Sequence, residues 1–245
     1  MTLDRPALKQ RAKEIIRDSR PSIISVAAVY LILTIVINLL STRLMGLGIS
    51  QGEAQAYMNF AMEGNYDAAL NYIERMTPPI GAHGIDLLLS LVMSVVEAGF
   101  VIFLLNSIRA AQPCFGNLLD GFGFFFKIIL LNFLIALFTV LWSLLLIVPG
   151  VIAMYRYSQA LYILVDDPTK SPMQCIRESK AMMVGHKMEL FKLSLSFFGW
   201  MLLAGLPTIG YAVQVWTLPY MSTVFALYYD RLLGRYGYEE PIYTY

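Results

Sequence analysis

From Ile128 to Val165 the chain runs for 38 residues with one charge, Arg156, and one interruption, Pro149-Gly150. A single helix of that length would extend about 57 Å, nearly twice the roughly 30 Å hydrocarbon core of a bilayer. The run is therefore expected to cross a membrane twice, turning at Pro149-Gly150 and carrying an arginine into the bilayer on its second pass.

Composition points the same way. Hydrophobic residues make up 58% of the chain and charged residues 14%, against about 45–50% and 25% in soluble domains. A polytopic membrane protein is expected. The net charge of +1 is far from the basic balance of a nucleic-acid binder. Cys114 and Cys175 have neither a CxxC partner nor a histidine cluster nearby, so neither a zinc site nor a disulfide is indicated. The first apolar run, Ser22–Leu40, holds 19 uncharged residues and lacks a small-residue cleavage site. It reads as a retained span rather than a signal peptide.

Six apolar segments emerge, at about residues 22–40, 87–105, 128–148, 149–165, 193–206 and 208–229. Under this assignment fifteen lysines and arginines lie on one side, and only Arg43 and Arg75 on the other. Cytoplasmic loops carry the excess of such residues, which puts both termini in the cytoplasm. Were residues 149–165 not to cross, the five-cation loop between segments four and five and the C-terminal tail would both move outside. The expected architecture is thus an all-α bundle of six transmembrane helices in a membrane domain at 22–230. A cytoplasmic tail at 231–245 follows, and the expected setting is the plasma membrane of a bacterium.

Three further pieces are expected outside the spans. Within residues 1–21, Leu8, Ala12, Ile15 and Ile16 share one helical face, with basic residues around the other. This is the pattern of an amphipathic helix lying on a membrane surface, and its cations fit both anionic-lipid binding and an ordinary positive-inside flank. Residues 171–185 open on Ser171-Pro172-Met173-Gln174, a capping box with proline at the first helical position, and Gly185 supplies a stop. Met173, Ile176 and Met183 fall on one face of this cytoplasmic helix, which would dock on the bundle or meet a protein partner. The outer loop, 41–86, is acidic and carries one or two short helices over 58–76.

The residues most able to carry chemistry are Glu97 and Arg156. Glu97 lies about 15 Å deep in the second span and Arg156 about 10 Å deep in the fourth, from the same outer face. An unpaired charge in hydrocarbon costs several kcal/mol, so the two are expected to form an intramembrane ion pair or a ligand site. Tyr155 and Gln159 would extend it into a polar cavity. No catalytic motif, cofactor fingerprint or metal-ligand cluster accompanies them, and neither His83 nor His186 has a second histidine at ligand spacing. Asp166-Asp167 reads as a helix stop before Pro168.

Three stretches together resemble a known family: LWSLLLIVPGVIAMYRYSQALYILVDDP (Leu141–Pro168), CIRESKAMMVGHKMELFKLSLSFFGW (Cys175–Trp200) and LPYMSTVFALYYD (Leu218–Asp230). They are similar to an integral membrane family of Gram-positive bacteria catalogued as domain of unknown function 975. A wider kinship to the membrane half of some glycerophosphodiester phosphodiesterases is implied. This chain lacks the catalytic barrel of those enzymes, and the resemblance transfers no activity and no site residues. The expected role is a non-catalytic binding, scaffold or accessory component, with the lipid bilayer as its surroundings. The rival is a small-molecule or lipid transporter built on the Glu97/Arg156 region. Oligomeric state is left open.

Overall fold

The computed structural model describes residues 3–44, 80–206 and 210–235, with scattered positions between 55 and 67. The helices expected over 58–76 lie, apart from those positions, outside the described residues, as does the tail beyond 235. The described elements are all helical: α1 (Arg5–Asp18), α2 (Ile23–Leu44), α3 (Ile80–Ile108), α4 (Asn117–Asp120), a 3₁₀ turn (Gly121–Phe124), α5 (Phe125–Leu145), α6 (Ile147–Tyr157), α7 (Ala160–Asp166), α8 (Pro172–Met182), α9 (Lys187–Leu195), α10 (Phe198–Ala204) and α11 (Gly210–Leu232). Among the described residues three stretches are long and apolar enough to cross a membrane: Ile23–Arg43, Gly84–Ile108 and Asn117–Leu145.

The chain divides into two compact units, Ile32–Met93 and the combination of Met1–Leu31 with Ser94–Tyr245. In the smaller unit the end of α2 and the start of α3 are tied by a hydrogen bond from the Ser41 hydroxyl to the Asp86 carboxylate. Val36, Leu39, Leu87 and Leu88 leave apolar surface exposed there.

The larger unit is built on two antiparallel helical hairpins. In the first, α5 is the outgoing arm and α6–α7 the returning one. The turn falls at Leu146, which is extended (φ −164°, ψ 151°), and not at Pro149-Gly150 as the sequence suggested. Pro149 instead sits in the first turn of α6, where a missing N–H leaves no acceptor wanting. Gly150 meets α5 directly: a Cβ there would stand 2.1 Å from Ser143 Oγ and 3.0 Å from its Cα. At the open end, Lys127 Nζ donates to the carbonyls of Pro168 (2.6 Å) and Thr169 (3.3 Å). The returning arm therefore runs the whole length of α5.

The second hairpin pairs α9–α10 with α11. Tyr228 donates to the His186 carbonyl (3.1 Å) at the open end, Phe197 packs edge-on against Tyr220 in the middle, and Gln214 Nε2 donates to the Ala204 carbonyl (3.2 Å) near the turn. A Cβ on Gly210 would lie 2.3 Å from the Ala204 carbonyl oxygen, so this turn also needs a glycine for close approach. Pro219 stays inside α11, and the helix continues on both sides of it. In each hairpin one arm is continuous and the other is broken, at Ser158-Gln159 and at Ser196-Phe197.

Burial concentrates toward the open ends. Phe103, Leu104, Leu131, Leu164 and Tyr229 form one core, and Met183, Leu193, Phe197, Leu227 and Tyr228 a second. Toward the closed ends Val140, Leu144, Leu145, Val148, Leu202 and Trp216 are exposed. Apolar surface of this extent with no protein cover is what a lipid-facing region displays.

Two expectations about the surface helices change. Asp4 caps α1 by accepting from the Ala7 N–H (3.1 Å). The apolar face of α1, however, is turned into the protein: Leu8 and Ala12 pack with Met183, Leu190, Val224 and Leu227. Enough apolar side chains from α9 and α11 converge on this face to replace lipid. Helix α8 begins at its expected cap, with Ser171 Oγ accepting from Gln174 N–H (3.3 Å), and Gly185 is left-handed (φ 81°). Its buried face is Cys175, Ile176, Ser179 and Met183, whereas Met173 is exposed. Ser179 belongs on that face because it is needed at the break between α6 and α7.

Candidate functional site

A helix that stops and restarts leaves backbone groups without their i, i+4 partners. At the break between α6 and α7 one residue of another helix supplies them. The Ser179 hydroxyl, fully buried, donates to the Arg156 carbonyl (2.8 Å) and accepts from the Gln159 N–H (3.2 Å). The Ser158 hydroxyl turns back to the Tyr155 carbonyl (2.9 Å). The break is thus held open by hydrogen bonds.

Beside the break lies a groove of about 560 Å³, walled by Tyr155, Ser158, Gln159 and Tyr162 with Ser194 and Phe225 opposite. Gln159 is 3% exposed. Its Nε2 donates to Ser158 Oγ (3.0 Å), while its Oε1 is buried with no hydrogen-bond partner. Among the described residues three other buried side-chain atoms share that condition: Thr139 Oγ1, Arg156 Nε and Arg231 Nη1. None of those three residues lines the groove. A buried amide oxygen without a donor costs about 1–3 kcal/mol, so Gln159, a residue of the groove wall, carries an unmet acceptor. Ser194 Oγ bonds to the Leu190 carbonyl (3.0 Å), and Tyr155 packs edge-on against Phe191.

Of the four residues picked out by sequence, Tyr155 and Gln159 come together in this groove. Arg156 and Glu97 do not join them. Among the described residues no ion pair links Glu97 to Arg156, whose Nε is buried without a hydrogen-bond partner. Matching depth was not enough, because rotation about each helix axis also decides which side chains meet. On α3 the flanking Val95, Val96, Ala98, Gly99 and Phe100 are buried, and Glu97 points away from them, exposed.

A second polar cluster, unforeseen from the sequence, closes the open ends. Arg109, just past α3, is bidentate to Asp230 of α11 (Nε–Oδ1 3.1 Å, Nη2–Oδ1 2.5 Å) and pairs through Nη1 with Asp166 of α7. Asp166 also accepts from Arg235 (2.9 Å) and Tyr229 (3.3 Å). Burial pushes the Asp166 carboxyl up, but hydrogen bonding and charge from Arg109, with help from Arg235, outweigh it and hold the group below the usual carboxylate range. Asp167, its neighbour, accepts from the N–H and hydroxyl of Thr169. The signal for the cluster was available: Arg109, Asp166 and Asp230 each follow an apolar segment on the same predicted side. Every member has partners, so this cluster holds helices together and offers little to a ligand.

Among the described residues, fold and site together define an all-helical protein with three helices long and apolar enough to cross a membrane, and with a groove lined in part by Gln159, whose amide oxygen is unsatisfied. Residues 144–236 match the family described as "Protein of unknown function (DUF975)". That match takes in Gln159, Ser179, Asp166 and Asp230 but neither Glu97 nor Arg109. No curated protein and no solved structure matches the chain.

Proposed function

We propose that this protein is a non-catalytic binding component of a bacterial plasma membrane, holding an amphiphilic ligand in the groove beside the Ser158-Gln159 break. Its ligand carries an apolar body and one hydrogen-bond donor, which meets Gln159 Oε1. The single observation behind this reading is that buried, unpartnered oxygen of Gln159, a residue lining a groove with aromatic and aliphatic side chains and two serines. The groove's two serine hydroxyls are each committed to a carbonyl one turn back, which favours binding over nucleophilic chemistry. Six spans with both termini cytoplasmic remain the topology of the proposal. It is supported by the charge asymmetry of the sequence and by the meeting of the ends of α3, α7 and α11 at Arg109.

The test is purification from native membranes in mild detergent, followed by mass spectrometry of co-purifying amphiphiles. One species should be retained near stoichiometrically by the native chain and fall at least tenfold in Gln159→Leu, with the thermal midpoint of that variant preserved. Equal retention by both proteins, or no retained species in either, overturns the reading. The two broken arms favour one second reading, transport, since interrupted helices mark substrate paths in many transporters. Flux of the retained species across proteoliposomes, lost in Gln159→Leu, would select it.

A further inference from the structure

A second pocket, separate from the Gln159 groove, lies where α1, the start of α2 and α11 meet. It encloses about 470 Å³; Lys13 and Arg17 stand at its edge, and Ile16, Ile24, Trp216 and Pro219 are among its apolar walls. Lys9, Lys13 and Arg17 are spaced i, i+4, i+8, which places them in one row along α1. Lys9 Nζ sits 4.3 Å from the Phe197 ring centroid, and Lys13 Nζ 5.9 Å from that of Tyr220. Among the described residues neither lysine forms a salt bridge, and no acidic side chain lines the pocket. Arg17 is held through Nε by Asp18 (3.0 Å), both side chains being well exposed. The row repels itself: burial, then the charges of Arg5 and Lys13, pull the Lys9 ammonium below its usual range.

A cation row whose two lysines carry no carboxylate partner among the described residues, beside an apolar pocket, is complementary to an anion that carries a hydrophobic tail. Ile24 is in the first turn of a helix long enough to span a bilayer, and Trp216 and Tyr220 add aromatic surface from α11. We propose that this pocket seats an anionic phospholipid, its phosphate between Lys13 and Arg17 and its acyl chains against Ile24, Trp216 and Pro219. The helix-surface cations then serve one lipid at a built site, not the general charge of the leaflet.

The experiment uses the full chain in nanodiscs, with Trp142→Phe and Trp200→Phe leaving Trp216 as the reporter. Phosphatidylglycerol brominated on its acyl chains should quench Trp216 at least threefold more efficiently than brominated phosphatidylcholine at equal mole fraction. Lys13→Gln with Arg17→Gln should abolish that preference, whereas Arg11→Gln with Arg20→Gln, which removes the same charge from outside the row, should preserve it. Equal quenching by the two lipids overturns the proposal. So does parallel loss in both double variants, which would indicate only diffuse surface attraction, and so does restoration of the unquenched signal by inorganic phosphate. Near-ultraviolet circular dichroism on each variant separates loss of binding from loss of fold. Because Gln159 lies in a different cavity, failure here leaves the groove reading standing, and the converse holds.

Discussion

Ser179→Ala tests the claim that one hydroxyl keeps the α6–α7 break open. The substitution removes the hydrogen atom shared with the Arg156 carbonyl and the acceptor used by the Gln159 N–H, at a position with no solvent exposure. Leaving two buried backbone groups unpaired costs about 1–3 kcal/mol each, the lower end applying to the 3.2 Å bond. Side-chain hydrogen bonds between membrane helices average only about 0.6 kcal/mol, because the unfolded chain in lipid finds other partners. Two such bonds set a floor of roughly 1.2 kcal/mol, and two fully orphaned groups a ceiling near 4 kcal/mol. At roughly 2–4 °C per kcal/mol for a chain of this size, the thermal midpoint should fall by about 2–16 °C. Ser194→Ala is the matched control. Its hydroxyl bonds only to a carbonyl one turn back, so it should move stability by less than about 0.5 kcal/mol. The measurement is equilibrium unfolding of both variants in the same lipid–detergent mixture. Should Ser179→Ala lie within about 0.5 kcal/mol of Ser194→Ala, the break is held by packing alone and the reasoning fails.

Two further outcomes concern the cluster at the open ends. Asp230→Asn removes the charge of the bidentate partner of Arg109 and should destabilise by about 1.5–3 kcal/mol, because Asp166 still holds the guanidinium; Arg109→Met with Asp230→Leu should recover part of that loss in the same unfolding assay. The pH dependence has a definite sign. Asp166 is held below its unfolded pKa, so its contribution is complete above about pH 4 and disappears as the pH falls through the folded value. Acid titration of the unfolding midpoint should therefore show a limb below about pH 4 that shrinks in Arg109→Gln, and an unchanged limb in that variant refutes the assignment.

The apolar segments were legible because length and hydropathy act locally. Each expected apolar segment corresponds to a helix or to a pair of short helices, and among the described residues three of the helical stretches are long and apolar enough to cross a membrane. The breaks at Ser158-Gln159 and Ser196-Phe197 were not legible. Neither contains proline or glycine, and the first exists because Ser179, 20 residues on, competes for the backbone. The turn at Leu146 escaped for a related reason: proline is as comfortable in the first turn of a helix as in the loop before it. Glu97 and Arg156 show how depth alone misleads. Each residue along a helix turns the side chain by about 100°, so an error of one or two residues in phase separates partners that share a depth.

The same rule explains why the charges that did meet are those at helix ends. Arg109, Asp166 and Asp230 need no particular phase, since a side chain beyond the last packed turn can swing toward an opposite charge. Segment ends are therefore where complementary charges on one predicted side are best paired from sequence. Within a span the informative polar residues are those a neighbouring helix fails to satisfy. Gln159 is placed by Ser179 and oriented by Ser158, yet its amide oxygen is left with nothing to accept from. On the proposed reading, that oxygen is the point at which the polarity of the groove is completed from outside the chain.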